Sequence, residues 1–271
     1  MKERLDILLV KKGLCSSRER AKKRILNGQV TVDGVTADKP GVTFSEDAVI
    51  TVSGEDRYVG RGGYKLEKAL SEFGITLSGT VCMDIGASTG GFTDCMLQNG
   101  AAKVYAVDVG TAQLAESLQK DPRVVSMEQT DIRSLTDKDL PEPVGFLAVD
   151  LSFISLTKVF SALAGLLREG GRMVCLIKPQ FEAGREHIGK NGIVKDRKVH
   201  RMVIDAVLNA AAIEGFRPEG ITFSPICGGS GNIEYLFSAV RTESGPGSGI
   251  TGSERIVNEA FPYHRKQGKG S

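Results

Sequence analysis

Three acids and one lysine of this 271-residue chain sit at the ends of short apolar runs. Asp84 lies near the end of Thr80–Ile85, and Asp108 follows Lys103–Val107. Asp150 follows Phe146–Val149, and Lys178 follows Met173–Ile177. In open α/β sheets the carboxyl ends of strands line the ligand crevice, so these groups are placed to hold hydroxyls, cations and exchangeable protons. The first run leads into Gly86-Ala87-Ser88-Thr89-Gly90-Gly91-Phe92. Small residues at such a turn let a ligand approach the backbone. A nicotinamide dinucleotide requires G-x-G-x-x-G there, with its diphosphate over the helix N-terminus. Asp84, just before the turn, repels a diphosphate and suits an amino group or a sulfonium, as in S-adenosyl-L-methionine. Asp108 is then the ribose-binding acid. Asp131, in Thr130-Asp131-Ile132-Arg133, stands where an acid contacts the adenine amino group in folds of this class.

The elements that position these groups alternate between strand-like and helix-like patterns from residue 63 to residue 241. A helix over 91–99 follows the turn, and Lys103–Val107 is the second strand. Val124–Glu128 and Phe146–Val149 follow as third and fourth. A helix over 156–167 precedes the fifth strand, Met173–Ile177. Residues 196–214 form a helix with Val199, Met202, Val203, Ala206, Val207 and Ala210 at burial spacing. Ile221–Ile226 and Ile233–Val240 close the sheet, joined by a glycine-rich loop that leads to Glu234. The fold class is α/β: a Rossmann-like, seven-stranded and mostly parallel sheet with one reversed strand near the end.

Residues 1–53 differ in character. A helix over 4–12 puts Leu5, Leu8 and Leu9 on one face, and Ser16 with Glu19 offers a capping box for a second helix over 17–27. Ala21, Ile25 and Leu26 are its expected core side. Gln29–Asp33 and Ala48–Val52 are short strands, and with the helices they make a small α+β module. Lys11, Lys12, Arg18, Arg20, Lys22, Lys23 and Arg24 face a single acid, Glu19, over that stretch. Such a run is either a solvated helix face or a positive surface that grips nucleic-acid phosphates.

The whole chain carries 35 basic and 33 acidic residues, a net charge of +2, so the overall balance implies no nucleic-acid partner by itself. Its 41% hydrophobic and 25% charged residues exclude a disordered or collagen-like chain. The length suggests about two domains, with a glycine-bearing linker over 54–62. The N-terminal apolar run Ile7–Val10 is too short for a signal peptide, and no stretch approaches a membrane span. Five dispersed cysteines without a C-x-x-C pair speak against zinc and for reduced thiols. The expectation is a cytoplasmic, metal-free protein without membrane partners.

The pattern Leu5-Asp6-x-x-Leu9 with Ser17-Arg18-x-x-Ala21-x-x-x-Ile25-x-x-Gly28-x-Val30-x-Val32-Asp33-Gly34 resembles the RNA-binding domain of ribosomal small-subunit protein four. Across the whole chain, four further segments carry a second resemblance. They are Asp84–Asp94, Asp150-Leu151-Ser152-Phe153-Ile154-Ser155-Leu156, Lys178-Pro179-Gln180-Phe181-Glu182 and Gly231-Asn232-Ile233-Glu234-Tyr235. Together with Tyr64-Lys65-Leu66, they resemble the TlyA family of bacterial ribosomal-RNA 2′-O-methyltransferases, historically labelled haemolysins.

The resemblance implies a small RNA-binding domain over 1–60 and an FtsJ-like class I methyltransferase domain over 61–242; the Gly/Ser/Pro-rich and then basic composition of residues 243–271 reads as a C-terminal tail, with Arg265, Lys266 and Lys269 disordered. It implies S-adenosyl-L-methionine as donor and a ribose 2′-hydroxyl, of cytidine in 16S or 23S rRNA, as acceptor. The family's Lys-Asp-Lys-Glu tetrad falls on Lys65, Asp150, Lys178 and Glu234. A free lysine titrates near 10.4, so a basic amine needs a lowered value. Lys65 and a cationic donor push Lys178 down, whereas Asp150 and Glu234 push it up and orient the amines. Lys178 then either abstracts the proton or steers the hydroxyl. Arg61, Gly62 and Gly63 read as a turn against the substrate or as plain linker. Residues 184–196 read as a lid or as a simple loop, and Phe181 as a base-stacking ring or a core aromatic. Two other functions remain compatible with these residues: a non-catalytic RNA-binding assembly factor, and a haemolysin.

Overall fold

The computed structural model describes residues 2–15, 17–26, 28–54, 57–228, 231–242 and 252–267. The chain divides into two compact units, Met1–Arg57 and Tyr58–Ser271. Among the described residues no helix is long and apolar enough to cross a membrane.

In the first unit β1 (Lys2–Arg4) leads into α1 (Leu5–Lys11), then α2 (Arg18–Leu26), β2 (Val30–Val32), β3 (Val35–Thr36), β4 (Thr43–Ser45) and β5 (Ile50–Val52). β2 pairs with β3 and β5, and β1 pairs with β4. Leu5, Leu9, Ala21, Ile25, Val30 and Val32 form the core, as the apolar spacing requires. Leu26 is on the outside instead, 68% exposed. Ser16, expected as the cap of the second helix, lies outside the described residues. Ser17 Oγ accepts from Arg20 N–H at 3.3 Å.

In the second unit the order is α3 (Gly62–Glu72), β6 (Val81–Ile85), α4 (Gly91–Gln98), β7 (Lys103–Val107), α5 (Glu116–Gln119), β8 (Val124–Met127) and β9 (Val144–Val149). Then come α6 (Phe160–Leu166), β10 (Leu167–Ile177), α7 (Pro179–Glu182), α8 (Arg197–Ile213), β11 (Phe216–Phe223), β12 (Tyr235–Arg241) and α9 (Ser253–Gln267). Seven strands form one sheet in the order β11-β12-β10-β9-β6-β7-β8. β6 to β10 run parallel, and β12 is antiparallel to both neighbours, so it is the one reversed strand. The order changes direction between β6 and β9, which opens a crevice at their carboxyl ends.

Side chains alternate across the sheet. On β10, Val174 and Leu176 meet α3 and α4, whereas Met173, Cys175 and Ile177 join the core under α6 and α8. Both faces are covered, which is why the strands read as near-continuous apolar runs.

Three expectations need correction. The C-terminal segment is not all tail: α9 packs on α8 and β11, with Ile256, Val257 and Ala260 buried. Its apolar stripe has a core to meet. The Gly/Ser/Pro run over 243–251 and Lys269 lie outside the described residues. Gly62 and Gly63 belong to α3 rather than to a turn or linker. A Cβ at Gly63 would lie 2.2 Å from Tyr58 Cγ, and one at Gly62 would lie 3.2 Å from the Phe92 ring. Their missing side chains let α3 approach α4 and the segment before it. Finally, the fifth strand is longer than expected: β10 begins at Leu167 rather than at Met173.

Candidate active site

β6 ends at Ile85, and the chain turns sharply at Gly86. Gly86 has φ +85°, and a Cβ there would lie 2.5 Å from the Asp150 carbonyl oxygen. Only glycine fits both the dihedral and the close approach. Past it, Ser88 N–H donates to Asp108 Oδ2 and Gly110 N–H to Asp108 Oδ1, each at 2.8 Å. The carboxylate that ends β7 thus braces the turn after β6. Beside this turn lies a cavity of about 420 Å³. Its walls include Gly86, Ser88, Asp108, Asp131, Arg133 and Asp150, with apolar surface from Val109, Ile132, Leu151 and Ile154. Three carboxylates face one guanidinium, so the cavity favours a cationic ligand. The hydrogen bond from Arg133 holds Asp131 low, at about 2.

The expected cofactor residues divide in two. Gly86, Ser88, Asp108, Asp131 and Asp150 line the cavity. Asp84, Thr89, Gly90, Gly91 and Phe92 do not. Asp84 is wholly buried beneath α4, where Oδ2 accepts from Thr93 N–H at 2.8 Å and from Thr93 Oγ1–H at 2.6 Å. Its Oδ1 is buried without a hydrogen-bond partner. Burial, helped by Asp150 and Asp108, pushes it up to about 7. Asp84 therefore does not guard the pocket mouth; the cavity's negative charge comes from Asp108, Asp131 and Asp150. Phe92 is a core ring packed beside Gly62, and Gly90 is wedged against Leu114 and Leu118.

The same Asp150 joins the cavity to a line of charges. Lys178 Nζ is 2.6 Å from Asp150 Oδ1, and Lys65 Nζ is 3.9 Å from Asp150 Oδ2. Lys65 Nζ also donates to Glu234 Oε2 at 2.7 Å. Lys65, on α3, Lys178, after β10, and Glu234, before β12, are all buried. Carboxylates and ammonium groups alternate along Glu234, Lys65, Asp150 and Lys178, so each buried charge has an opposite neighbour, as such charges require. Because β12 runs backwards, its beginning lies at the edge where the parallel strands end.

This geometry suits a donor with an apolar base, ribose hydroxyls and a positive centre, next to an amine that can take a proton from an acceptor. Family comparison decides the matter, since the FtsJ-like methyltransferase model matches residues 58–241 and the S4 domain model residues 3–50. The chain belongs to the FtsJ-like methyltransferase family. It is 49% identical to the Bacillus subtilis candidate rRNA methyltransferase YqxC, over 96% of this chain and 94% of that one. It is 42% identical to the Mycobacterium tuberculosis 16S/23S rRNA (cytidine-2′-O)-methyltransferase TlyA, over 95% of this chain and 97% of that one. A solved structure of a candidate hemolysin from Streptococcus thermophilus, 46% identical, matches with a TM-score of 0.80 over 99% of this chain and 98% of that one.

Around the line of charges in this methyltransferase stand residues to which the sequence assigned no role. Ser152 Oγ accepts from Lys178 Nζ at 2.9 Å. Gly228 makes room for Glu234: a Cβ there would lie 2.3 Å from Glu234 Oε1. Asn232 accepts from Val194 N–H at 3.1 Å and donates to the Gly192 carbonyl at 2.8 Å, which ties the 184–196 loop to the approach of Glu234. Asn232 and Gly228 sat in a loop already marked by its glycines; Ser152 carried no sequence signal beyond its place after Asp150. Phe181 lies 5.0 Å, centroid to centroid, from Phe153, which is 90% exposed.

On the first unit, Lys11, Lys12, Arg18 and Lys23 are exposed, and Arg20, Lys22 and Arg24 are half-buried. Lys11 lies 3.5 Å from Glu46, and Lys12 Nζ donates to the Ala48 carbonyl at 3.3 Å. Arg18 donates to the buried Asp6 at 3.0 Å, so it also ties α2 to α1. The hydrogen bond from Arg4, then that from Arg18, keeps Asp6 below the usual carboxylate range despite its burial.

Proposed function

We propose that the protein transfers a methyl group from S-adenosyl-L-methionine to the 2′-hydroxyl of a cytidine in ribosomal RNA, working in the cytoplasm on ribosomal subunits or their precursors. The observation that carries this reading is the Lys178 amine, held 2.6 Å from Asp150 at the wall of a cavity lined by that same aspartate. Bound S-adenosyl-L-methionine supplies an electrophilic methyl group. Asp108 holds its ribose hydroxyls, Asp131 faces its adenine, and the acidic lining matches its charge.

Lys178 receives the 2′-hydroxyl proton at Nζ as the new O–C bond forms and the methyl–sulfur bond breaks. Asp150 draws in Lys178 and shields its charge from Lys65, whose own charge is held by Glu234. Positioning of the two reactants supplies much of the acceleration. The basic residues of α1 and α2, with Lys12, grip phosphates, which fixes register rather than sequence. The target nucleotide leaves its stack to reach the site, at a cost of a few kcal/mol, and its base stacks against the exposed ring of Phe153, beside the half-buried Phe181.

The test is ribose-methylation mass mapping of unmodified rRNA treated with the protein and the donor. Lys178→Met is expected to lower kcat by about 10²–10⁴-fold while donor affinity stays unchanged. If that variant methylates as well as the parent, Lys178 is structural and not the base; if the parent methylates no rRNA, the protein is an RNA-binding factor.

A further inference from the structure

Beyond the four charged residues, we propose that Ser152 is a positioning residue that aims the Lys178 amine at the substrate hydroxyl. The inference rests on the methyl-transfer reading above and deepens it.

An amine nitrogen has four tetrahedral directions. In Lys178 one is the bond to its own side chain. Another holds the hydrogen bond to Ser152 Oγ, which accepts at 2.9 Å. Asp150 Oδ1, 2.6 Å away, is a charge contact and accepts no hydrogen bond. Asp150 therefore draws the amine in without setting its orientation, and the Ser152 acceptor supplies the direction. A base acts only when its lone pair meets the proton it removes. With one N–H held by Ser152, the lone pair of the neutral amine is confined to the remaining directions, on the side of the cavity that Ser152 lines.

The surroundings of Ser152 are built to hold it still. Phe153 follows at φ +64°, a left-handed conformation that an aromatic residue rarely adopts. This bend turns the chain just after the hydroxyl. The Phe153 ring then meets Phe181, three positions beyond Lys178, at 5.0 Å between centroids. Farther along, Glu182 accepts from Ser155 Oγ–H at 2.6 Å and from Leu156 N–H at 2.8 Å. Two residues of α7, Phe181 and Glu182, therefore clasp the loop that carries Ser152. α7 begins directly after Lys178, so donor and acceptor ride on segments fastened to each other. Ser152 is itself exposed and lines the donor cavity. It can thus act at the point where the two reactants meet, and its loss opens no hole in the core.

The experiment compares Ser152→Ala, Ser152→Thr and the parent in steady-state methylation of unmodified rRNA, with donor affinity measured separately by calorimetry. Ser152→Ala is expected to lower kcat about ten- to a hundredfold, with KM for RNA and donor affinity unchanged. Ser152→Thr, which keeps the hydroxyl, is expected to restore most of the rate. An alanine variant within twofold of the parent kcat overturns the proposal. So does a loss confined to KM or to donor affinity, which would make Ser152 only a cavity wall. A parent protein that methylates no ribose in rRNA overturns the underlying reading, and this one with it.

Discussion

Lys65 and Glu234, separated by 169 positions, meet at 2.7 Å inside the second unit. Both are nearly sealed from solvent, with exposures of 7% and 2%. Removing Glu234 leaves buried Lys65 with only the more distant Asp150, 3.9 Å away, and breaking such a buried pair costs about 3–5 kcal/mol. Glu234→Ala is therefore expected to lower stability to urea by that amount. The double variant Lys65→Met/Glu234→Leu regains most of it, because well-packed apolar replacements avoid the desolvation cost. Neither variant methylates. If the single variant unfolds at the parent's midpoint, the pair contributes nothing to the fold.

Gly228 separates this stability role from the chemical one. A methyl group there pushes Glu234 Oε1 aside, and the end of a flexible side chain moves more readily than backbone. Gly228→Ala is expected to displace the carboxylate from Lys65 and to lower kcat about tenfold or more, with donor affinity retained in calorimetry. Unchanged kcat would mean that Glu234 only fills space.

Asp84 gives the protein a pH dependence of definite sign. Burial raises it to about 7, above the ordinary carboxylate value. The folded state then favours the neutral acid, so Asp84's contribution is full below about pH 4. It falls away as pH rises to about 7, and the deficit is constant above that. Asp84→Asn still offers Thr93 an acceptor and has no charge to bury. Its stability relative to the parent is expected to rise between pH 4.5 and 8, by on the order of 3 kcal/mol. Parallel urea midpoints for the two proteins across that range would show that Asp84 is ionised in the fold.

For α2 the measurement is the salt dependence of RNA binding by the whole protein. Each cation removed from the phosphate-gripping face reduces the slope of log affinity against log salt by about 0.7–0.9. Lys22→Ala/Lys23→Ala is expected to weaken binding to rRNA fragments of unrelated sequence alike and to flatten the slope by about 1.5. An unaltered slope would leave α2 as a merely solvated face.

The strand ends were the legible part of this molecule. Asp108, Asp150 and Lys178 each follow an apolar run, and the parallel sheet turns that linear fact into a shared edge. Lys65 and Glu234 needed the family resemblance, since a lysine on a helix and a glutamate after a glycine-rich loop look like surface charges. Asp84 differs from expectation because sequence gives its place on the strand but not which way the carboxylate faces; Thr93, nine positions on, claims it. Gly62 and Gly63 resembled a linker because close packing against Tyr58 and Phe92 is a tertiary fact. The stripe Ile256-Val257-x-x-Ala260 has the spacing of a helix face, but the glycine- and serine-rich run before it has the composition of a tail. Ser152 looks like any loop serine until the Lys178 amine is placed beside it.

The reversal of β12 has a consequence in time as well as in space. A ribosome makes the chain from Lys65 onward long before it reaches Glu234, and until then the lysine has no carboxylate waiting at the far edge of the sheet. A nascent copy halted anywhere before the last strand lacks the closing member of the charge line. The set of charges is thus whole only once the segment leading into β12 has been made, and products truncated before it inherit the earlier strands without the complete centre.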